Sequence, residues 1–255
     1  MTDNAGRAVF TAAPSAVHAV RASAANWLEE VRPQWLRQLL VAAHEQLPAA
    51  LQDDWAREAR YVLRTRPPAA GLRVVHAWQT RTVLPLLATA WARKPSPELD
   101  RLDALHRTAA VTRITPDTWR SGLTPVLRRL YRSSYDYPAA CAVARAGAAA
   151  WALANGHTPE QADEYGRRYA ELSATANAEA FAEAHARALG GLLAHAYATD
   201  HDDGYAATYP GAQLRAVVAA SGPGTQAAGD SPGACGPAPV PAILADGLLA
   251  VLREG

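Results

Sequence analysis

One stretch near the middle of the chain alternates alanine with other residues, and it decides the fold class. Within SATANAEAFAEAHARALGG, every second residue from Ala174 to Ala188 is alanine. Alternation is the spacing of a β-strand, but strands usually contain about five or six residues and are poor in alanine. Alanine is also the best helix former. We therefore predict that this stretch is helical.

The same helix has a well-marked start. Thr158 has the position of an N-cap, Pro159 suits the first turn, and Gln161 has the capping-box spacing. A straight helix from Thr158 to Thr199 would be about 60 Å long, whereas a compact domain of this size is less than about 50 Å across. The sequence therefore predicts a kink or break near Gly190-Gly191.

A helix turns by about 100° per residue, so the residues between the alanines fall into two rows. One row is Thr175, Glu179, Glu183 and Arg187, and the other is Asn177, Phe181, His185 and Leu189. Alanine fills the remaining surface. This pattern predicts that neighbouring helices approach closely on several sides.

The rest of the chain also has helical spacing. Trp119, Leu123, Val126 and Leu130 are one example, and no segment predicts a strand. Proline follows a capping residue at Ser96-Pro97, as it does at two later helix starts. Alanine accounts for almost a quarter of the residues. We predict an all-α fold, a compact alanine-rich bundle of about nine helices, with residues 1–221 forming a single domain.

The C-terminal part has a different composition. Residues 222–241, GPGTQAAGDSPGACGPAPVP, have the composition of a linker, and residues 242–255 predict a short apolar helix. The apolar side chains of that helix are Ile243, Leu244, Leu248, Leu249 and Leu252. Because water would otherwise cover this apolar face, we expect the helix to dock either on its own domain or on another molecule.

Several classes of protein do not fit the sequence. The N-terminal residues lack the apolar segment of a signal peptide, and the most apolar stretch, TVLPLLATAWA, is shorter than the roughly 20 residues that span a bilayer. Two cysteines are too few for a disulfide framework or a zinc site. We expect a cytoplasmic protein with no membrane contact, no metal and no cofactor.

Charge is distributed unevenly along the chain. Residues 57–145 carry a net charge of +10 and residues 146–255 carry −7, although the whole chain carries only +1. One explanation is that the acidic part neutralises the basic part within the fold. The alternative is an anionic partner bound by Arg128, Arg129, Arg132 and Tyr135, which suit phosphates or single-stranded bases. The low total charge argues against duplex nucleic acid.

Glu179 and Glu183 are the candidate acid/base pair. Either they are solvated beside Arg187, or the apolar side of the helix carries them into a cavity. In a cavity, burial and mutual repulsion would raise one pKa and create a general acid/base pair. That alternative describes a small helical enzyme acting on an apolar or aromatic metabolite.

No catalytic motif is complete. The acidic segment DHDDG at 200–204 is typical of a solvated loop or a weak Mg²⁺ or Ca²⁺ site, since it departs from the EF-hand pattern. Asp103 and His106 have the spacing found in carboxylate-bridged metal proteins, but a second copy is missing. His76 is interpreted as a buried, hydrogen-bonded histidine.

These observations favour a protein that acts by interaction, in a regulatory, accessory or assembly role. The predicted contact is the C-terminal helix, binding a protein partner or a second copy. The enzyme with Glu179 and Glu183 and the anion binder are the two alternatives.

Overall fold

The described part of the chain is built from helices alone. The structure is a computed structural model, and it describes residues 27–66, 71–92, 96–222 and 238–254. A 3₁₀ turn, Trp27–Glu30, and a π-helical turn, Gln79–Val83, accompany the α-helices. The α-helices are α1 (Gln34–Gln46), α2 (Ala49–Thr65), α3 (Arg73–Trp78), α4 (Leu84–Ala90), α5 (Pro97–Ala109), α6 (Pro116–Ser134), α7 (Tyr137–Ala154), α8 (Pro159–Thr199), α9 (Asp202–Ala206), α10 (Pro210–Ala220) and α11 (Val240–Glu254). The all-α prediction is confirmed.

Helix α8 begins as predicted. The Thr158 hydroxyl accepts a hydrogen bond from the Gln161 amide (3.3 Å), and the Gln161 side chain accepts one from the Thr158 amide (3.0 Å). These two bonds complete the capping box. The helix ends at Thr199 because Asp200 adopts the left-handed conformation, with a φ of 51°.

The sequence predicted a kink or a break at Gly190-Gly191, and the break is absent, because α8 continues through both glycines. Gly190 faces α6, where an added Cβ would lie 3.1 Å from the Thr124 hydroxyl. This glycine therefore makes room for a neighbouring helix and does not interrupt its own. Gly191 has no neighbouring atom within 4 Å of an added Cβ.

Two successive helices, α6 and α7, pack end to end along α8 and run antiparallel to it. Arg128 of α6 pairs with Glu183, whereas Arg145 of α7 pairs with Asp163 near the start of α8. Helices of 19 and 18 residues extend about 28 and 27 Å, which together nearly match the roughly 60 Å of α8. The size argument failed because α7 and the first half of α8 form a separate two-helix arm.

A row of small residues explains how α8 contacts both helices. The buried residues of this row recur at every fourth position: Ala162, Gly166, Ala170, Ala174, Ala178, Ala182, Ala186 and Gly190. Four residues turn the helix by about 400°, so each step moves the row about 40° around the axis. The row can therefore face α7 first and α6 further along.

The alternating alanines divide between the core and the surface. Ala174, Ala178, Ala182 and Ala186 are buried, whereas Ala176, Ala180, Ala184 and Ala188 are exposed. The prediction that alanine admits neighbouring helices on several sides is wrong in this respect. One row acts as the spacer, and the other lies in solvent.

Helix α11 packs in cis, on α1, α2, α3 and the π-helical turn. Its leucines Leu244, Leu248, Leu249 and Leu252 are buried, and the Trp78 indole N–H donates to the Leu244 carbonyl (3.1 Å). The helix begins at Val240, two residues before the predicted start. Most of the predicted linker, residues 223–237, lies outside the described residues. None of the described helices combines the length and apolar character needed to cross a membrane.

Two glycines of α8 provide a matched test of close packing. A Cβ at Gly166 would lie 2.8 Å from the Arg145 backbone oxygen, so G166A must separate α7 from α8. We expect G166A to lower the free energy of unfolding by about 1–2 kcal/mol, since overpacking outweighs the gain in helix propensity. We expect G191A to raise it by about 0.5–1 kcal/mol, because open space surrounds that position.

Urea unfolding of the two variants and the wild type measures both changes. Equal effects of G166A and G191A would contradict close packing at Gly166.

Candidate functional site

The predicted anion-binding residues lie along the contact between α6 and α8. Arg128 pairs with Glu183 (2.5 Å) and Arg132 with Glu179 (2.7 Å). These ion pairs join the basic and acidic parts of the chain. At this contact the acidic part of the chain neutralises the basic part within the fold, which is the first of the two explanations given for the uneven charge.

The other two residues of that set also have partners in the chain. The Arg129 guanidinium lies over the Trp91 ring, 4.5 Å from its centroid, and donates to the Ser96 hydroxyl (3.2 Å). The Tyr135 ring lies 5.5 Å from the Phe181 ring. The four side chains therefore hold helices together and leave no open cluster of arginines for an anion.

Glu179 and Glu183 do not lie in a cavity. Their side chains remain 46% and 39% exposed, and Glu183 also pairs with Arg187 (3.2 Å). The enzyme alternative needed these carboxylates in a solvent-excluded site. They are instead surface groups with arginine partners, so their position gives no support to an acid/base role.

The acidic segment after α8 has structural contacts. Asp200 accepts a hydrogen bond from the Leu72 amide (2.7 Å), and Asp202 accepts one from the Trp35 indole N–H (2.7 Å). The His201 ring accepts one from the Gly204 amide (2.9 Å). Among the described residues, no group of three or more His, Cys, Asp or Glu side chains is arranged to hold a metal ion.

The sequence did not predict a buried pair of histidines, His76 of α3 and His106 of α5. Their Nδ1 atoms lie 2.9 Å apart, and the side chains are only 4% and 1% exposed. Trp119 stacks on His76, and Tyr197 of α8 contacts both imidazole rings. His76 is buried and hydrogen-bonded as interpreted, but its partner was not identified. The two residues are distant in sequence, so only the tertiary fold brings them together.

Burial keeps both histidines neutral. It lowers the pKa of His76 to about 4, although the Asp200 carboxylate opposes this effect. Burial, and then the neighbouring His76, hold the pKa of His106 well below its usual range. A hydrogen bond between two Nδ1 atoms requires that one donates and the other accepts. One ring therefore has a proton on Nε2, and the other has a free electron pair there.

The histidine pair closes the inner end of a cleft of about 550 Å³ between α3, α5 and α11, which we call the histidine cleft. Its lining consists of Arg73, Val74, His76, Ala77, Thr80, Arg81, His106, Arg107, Ala110, Val251 and Glu254. The C-terminal helix thus contributes a wall to this cleft and is not a free binding segment. From the predicted interaction set, only Ile243 stays substantially exposed.

A second feature is an apolar surface on the two-helix arm. Arg145 is the sole charged residue of α7, and Ala148 and Ala152 are the only side chains that α7 buries. Trp151 of α7 lies beside Tyr165 of α8, with the ring centroids 5.6 Å apart. Helix α7 is therefore almost free of charge and yet leaves most of its side chains unburied.

We call this surface the arm face. It contains Ala144, Gly147 and Trp151 of α7 and Tyr165 and Tyr169 of α8. Ala144, Gly147 and Trp151 follow the spacing i, i+3, i+7, and the two tyrosines follow i, i+4, which places each set on one side of its helix. These residues line a groove of about 430 Å³ between the two helices. The helical spacing of the tyrosines is present in the sequence, but their exposure depends on the tertiary fold.

Comparisons with protein-family models, with curated proteins and with solved structures give no match for this chain. What supports a function is therefore the geometry of the arm face and of the histidine cleft.

The neutral histidine pair makes folding stability depend on pH. Because the folded pKa of His76 is depressed, the unfolded chain binds a proton first as the pH falls below about 6.5. The stability that the neutral His76 contributes to the folded state is complete above about pH 6.5 and is lost as the pH falls towards 4. We expect His76 alone to lower the free energy of unfolding by about 2 kcal/mol between pH 7 and pH 5.

Urea unfolding at the two pH values measures this loss. H195Q, which removes an exposed histidine of α8, is the control and should lose stability to the same extent as the wild type. A wild-type free energy of unfolding that is level from pH 7 to pH 5 would contradict a buried neutral pair.

Proposed function

We propose that the protein acts by self-association through the arm face, in an assembly or regulatory role. The observation that supports this proposal is a broad, exposed, uncharged surface formed by two helices. The partner is a second copy of the chain. The contact differs from the C-terminal helix favoured by the sequence, since the leucines of α11 are buried in their own domain.

The arm face is apolar enough to favour cover by another molecule. Trp151 is 55% exposed and Tyr169 is 48% exposed. Apolar surface gains about 25 cal/mol for each Å² removed from water. Covering the three exposed aromatic rings with a second copy would form a small interface, which suits a reversible dimer.

The shape of the arm face supports a second copy as the partner. Helix α7 contributes the small residues Ala144 and Gly147, whereas α8 contributes the bulky Tyr165 and Tyr169. A two-fold axis parallel to the helices would place α7 of one copy on α8 of the other. Tyr169 would then face the small residues of α7, and Tyr165 would face Trp151, which lies at the same height along the arm. Both contacts would occur twice, which is the self-complementarity that a symmetric dimer needs.

The lack of charged residues on the arm face also supports a second copy as the partner. The residues of the arm face include no acidic or basic side chain. Two copies therefore meet without like-charge repulsion, whereas a charged partner would find no complementary group. The charged residues near the start of α8, such as Glu164 and Arg168, pair with one another instead.

Two neighbouring residues of α7 allow a matched test. G147E adds a carboxylate at the centre of the arm face, where an added Cβ meets no atom within 4 Å. A146E adds the same side chain at an exposed position about 100° around the helix, away from the arm face. We expect the wild type and A146E to form dimers and G147E to remain monomeric, because burying an unpaired carboxylate costs several kcal/mol.

Sedimentation velocity over a range of concentrations measures the mass, which is 27.0 kDa for one copy. Y169E, a change at an exposed position of α8 on the arm face, should also give monomers. A wild type that is monomeric at every concentration overturns the proposal, as does dissociation of A146E to the same extent as G147E.

A further inference from the structure

The histidine cleft has an excess of positive charge. Arg73, Arg81 and Arg107 line it, and Glu254 is the one acidic side chain among its lining residues. Arg81 pairs with Glu254, and Arg107 pairs with Asp103 (2.7 Å). Arg73 makes no ion pair with any described residue. A cleft with this balance attracts an anion.

The remaining walls suit an apolar body. Val74 and Ala77 lie on one side, Ala110 on another and Val251 on the third. The volume of about 550 Å³ is within the range of sites that hold small organic ligands. The cleft therefore combines charged groups, apolar walls and a polar inner end made by two histidines.

A π-helical turn shapes the wall that carries Arg81. The Leu84 amide donates a hydrogen bond to the carbonyl of Gln79, five residues earlier. In a regular α-helix the acceptor would be the carbonyl four residues earlier. Pro85 explains this change, because its ring would clash with the Arg81 carbonyl in a regular α-helix. Such turns are rare and occur frequently at functional sites.

The same turn fixes the opposite wall. Thr82 packs on Gly247 of α11, where an added Cβ would lie 2.3 Å from the threonine hydroxyl. The turn thus places Arg81 on the cleft and Thr82 under α11. This contact brings Val251 and Glu254 of α11 to the cleft.

We propose that the histidine cleft binds a small organic anion. Its carboxylate or phosphate pairs with Arg73 and Arg81, its apolar body lies against the valine and alanine walls, and the histidine pair meets its inner end. Glu254 competes with the ligand for Arg81. This site is separate from the arm face and does not depend on self-association.

Glu254 and Glu58 provide matched variants. Each forms an ion pair that joins α11 to another helical segment, Glu254 with Arg81 and Glu58 with Arg253. Glu254 lines the cleft, whereas Glu58 is not among its lining residues. E254Q and E58Q therefore remove the same charge and the same kind of contact, and only E254Q frees an arginine of the cleft.

Isothermal titration of the full chain with benzoate and with phenyl phosphate tests the proposal, since the two probes share a ring and differ in the anionic group. We expect at least one probe to bind and E254Q to tighten it by about two- to fivefold, the value of an exposed ion pair. E58Q should match the wild type. The probe that binds more tightly identifies the anionic group.

R81Q completes the experiment. Because Arg81 is half-exposed, its replacement should leave the fold intact and weaken binding by about tenfold or more. The proposal is overturned if neither probe binds the wild type or E254Q, if E254Q and E58Q have equal affinities, or if R81Q binds as tightly as the wild type.

Discussion

Close packing along the small-residue row of α8 is the constraint on which the rest of the structure depends. At Gly166 an added Cβ would lie 2.8 Å from the Arg145 backbone oxygen of α7, and at Gly190 it would lie 3.1 Å from the Thr124 hydroxyl of α6, so neither neighbouring helix leaves room for a larger side chain. This proximity lets α6 and α7 share one long helix. It also sets the position of Tyr197, near the end of that helix, against the two histidines.

Electrostatics follow from the same arrangement. Because α6 carries arginines and α8 carries glutamates, placing the helices side by side neutralises a basic and an acidic part of the chain. Exposed pairs of this kind contribute little stability individually. Their effect here is on selectivity, since they occupy the arginines that an anion would otherwise bind. The arginine-rich histidine cleft is different, because Arg73 has no ion-pair partner among the described residues.

Local signals in the sequence were sufficient for the fold class and for several boundaries. Thr158, Pro159 and Gln161 determine a helix start through contacts within four residues, which a sequence displays directly. The predicted break at Gly190-Gly191 was wrong, because the sequence does not distinguish a glycine that makes room for Thr124 from a glycine that ends a helix. Its role depends on a partner from elsewhere in the chain.

The sites were less predictable for the same reason. The hydrogen bond between His76 and His106 requires α3 and α5 to pack together, and neither histidine belongs to a complete motif. The apolar face of α11 correctly indicated that this helix must dock. Its position could not be deduced, because the contact of Gly247 with Thr82 depends on a π-helical turn. The exposure of Tyr165 and Tyr169 on α8 could not be deduced either, because it depends on how far the other helices extend.

The continuity of α8 through its paired glycines links two distant parts of the structure. Tyr169 on the arm face and Tyr197 beside the histidines belong to one helix and are about 42 Å apart along its axis. A single run of main-chain hydrogen bonds therefore joins the arm to the ring that touches both imidazoles, with no loop between them.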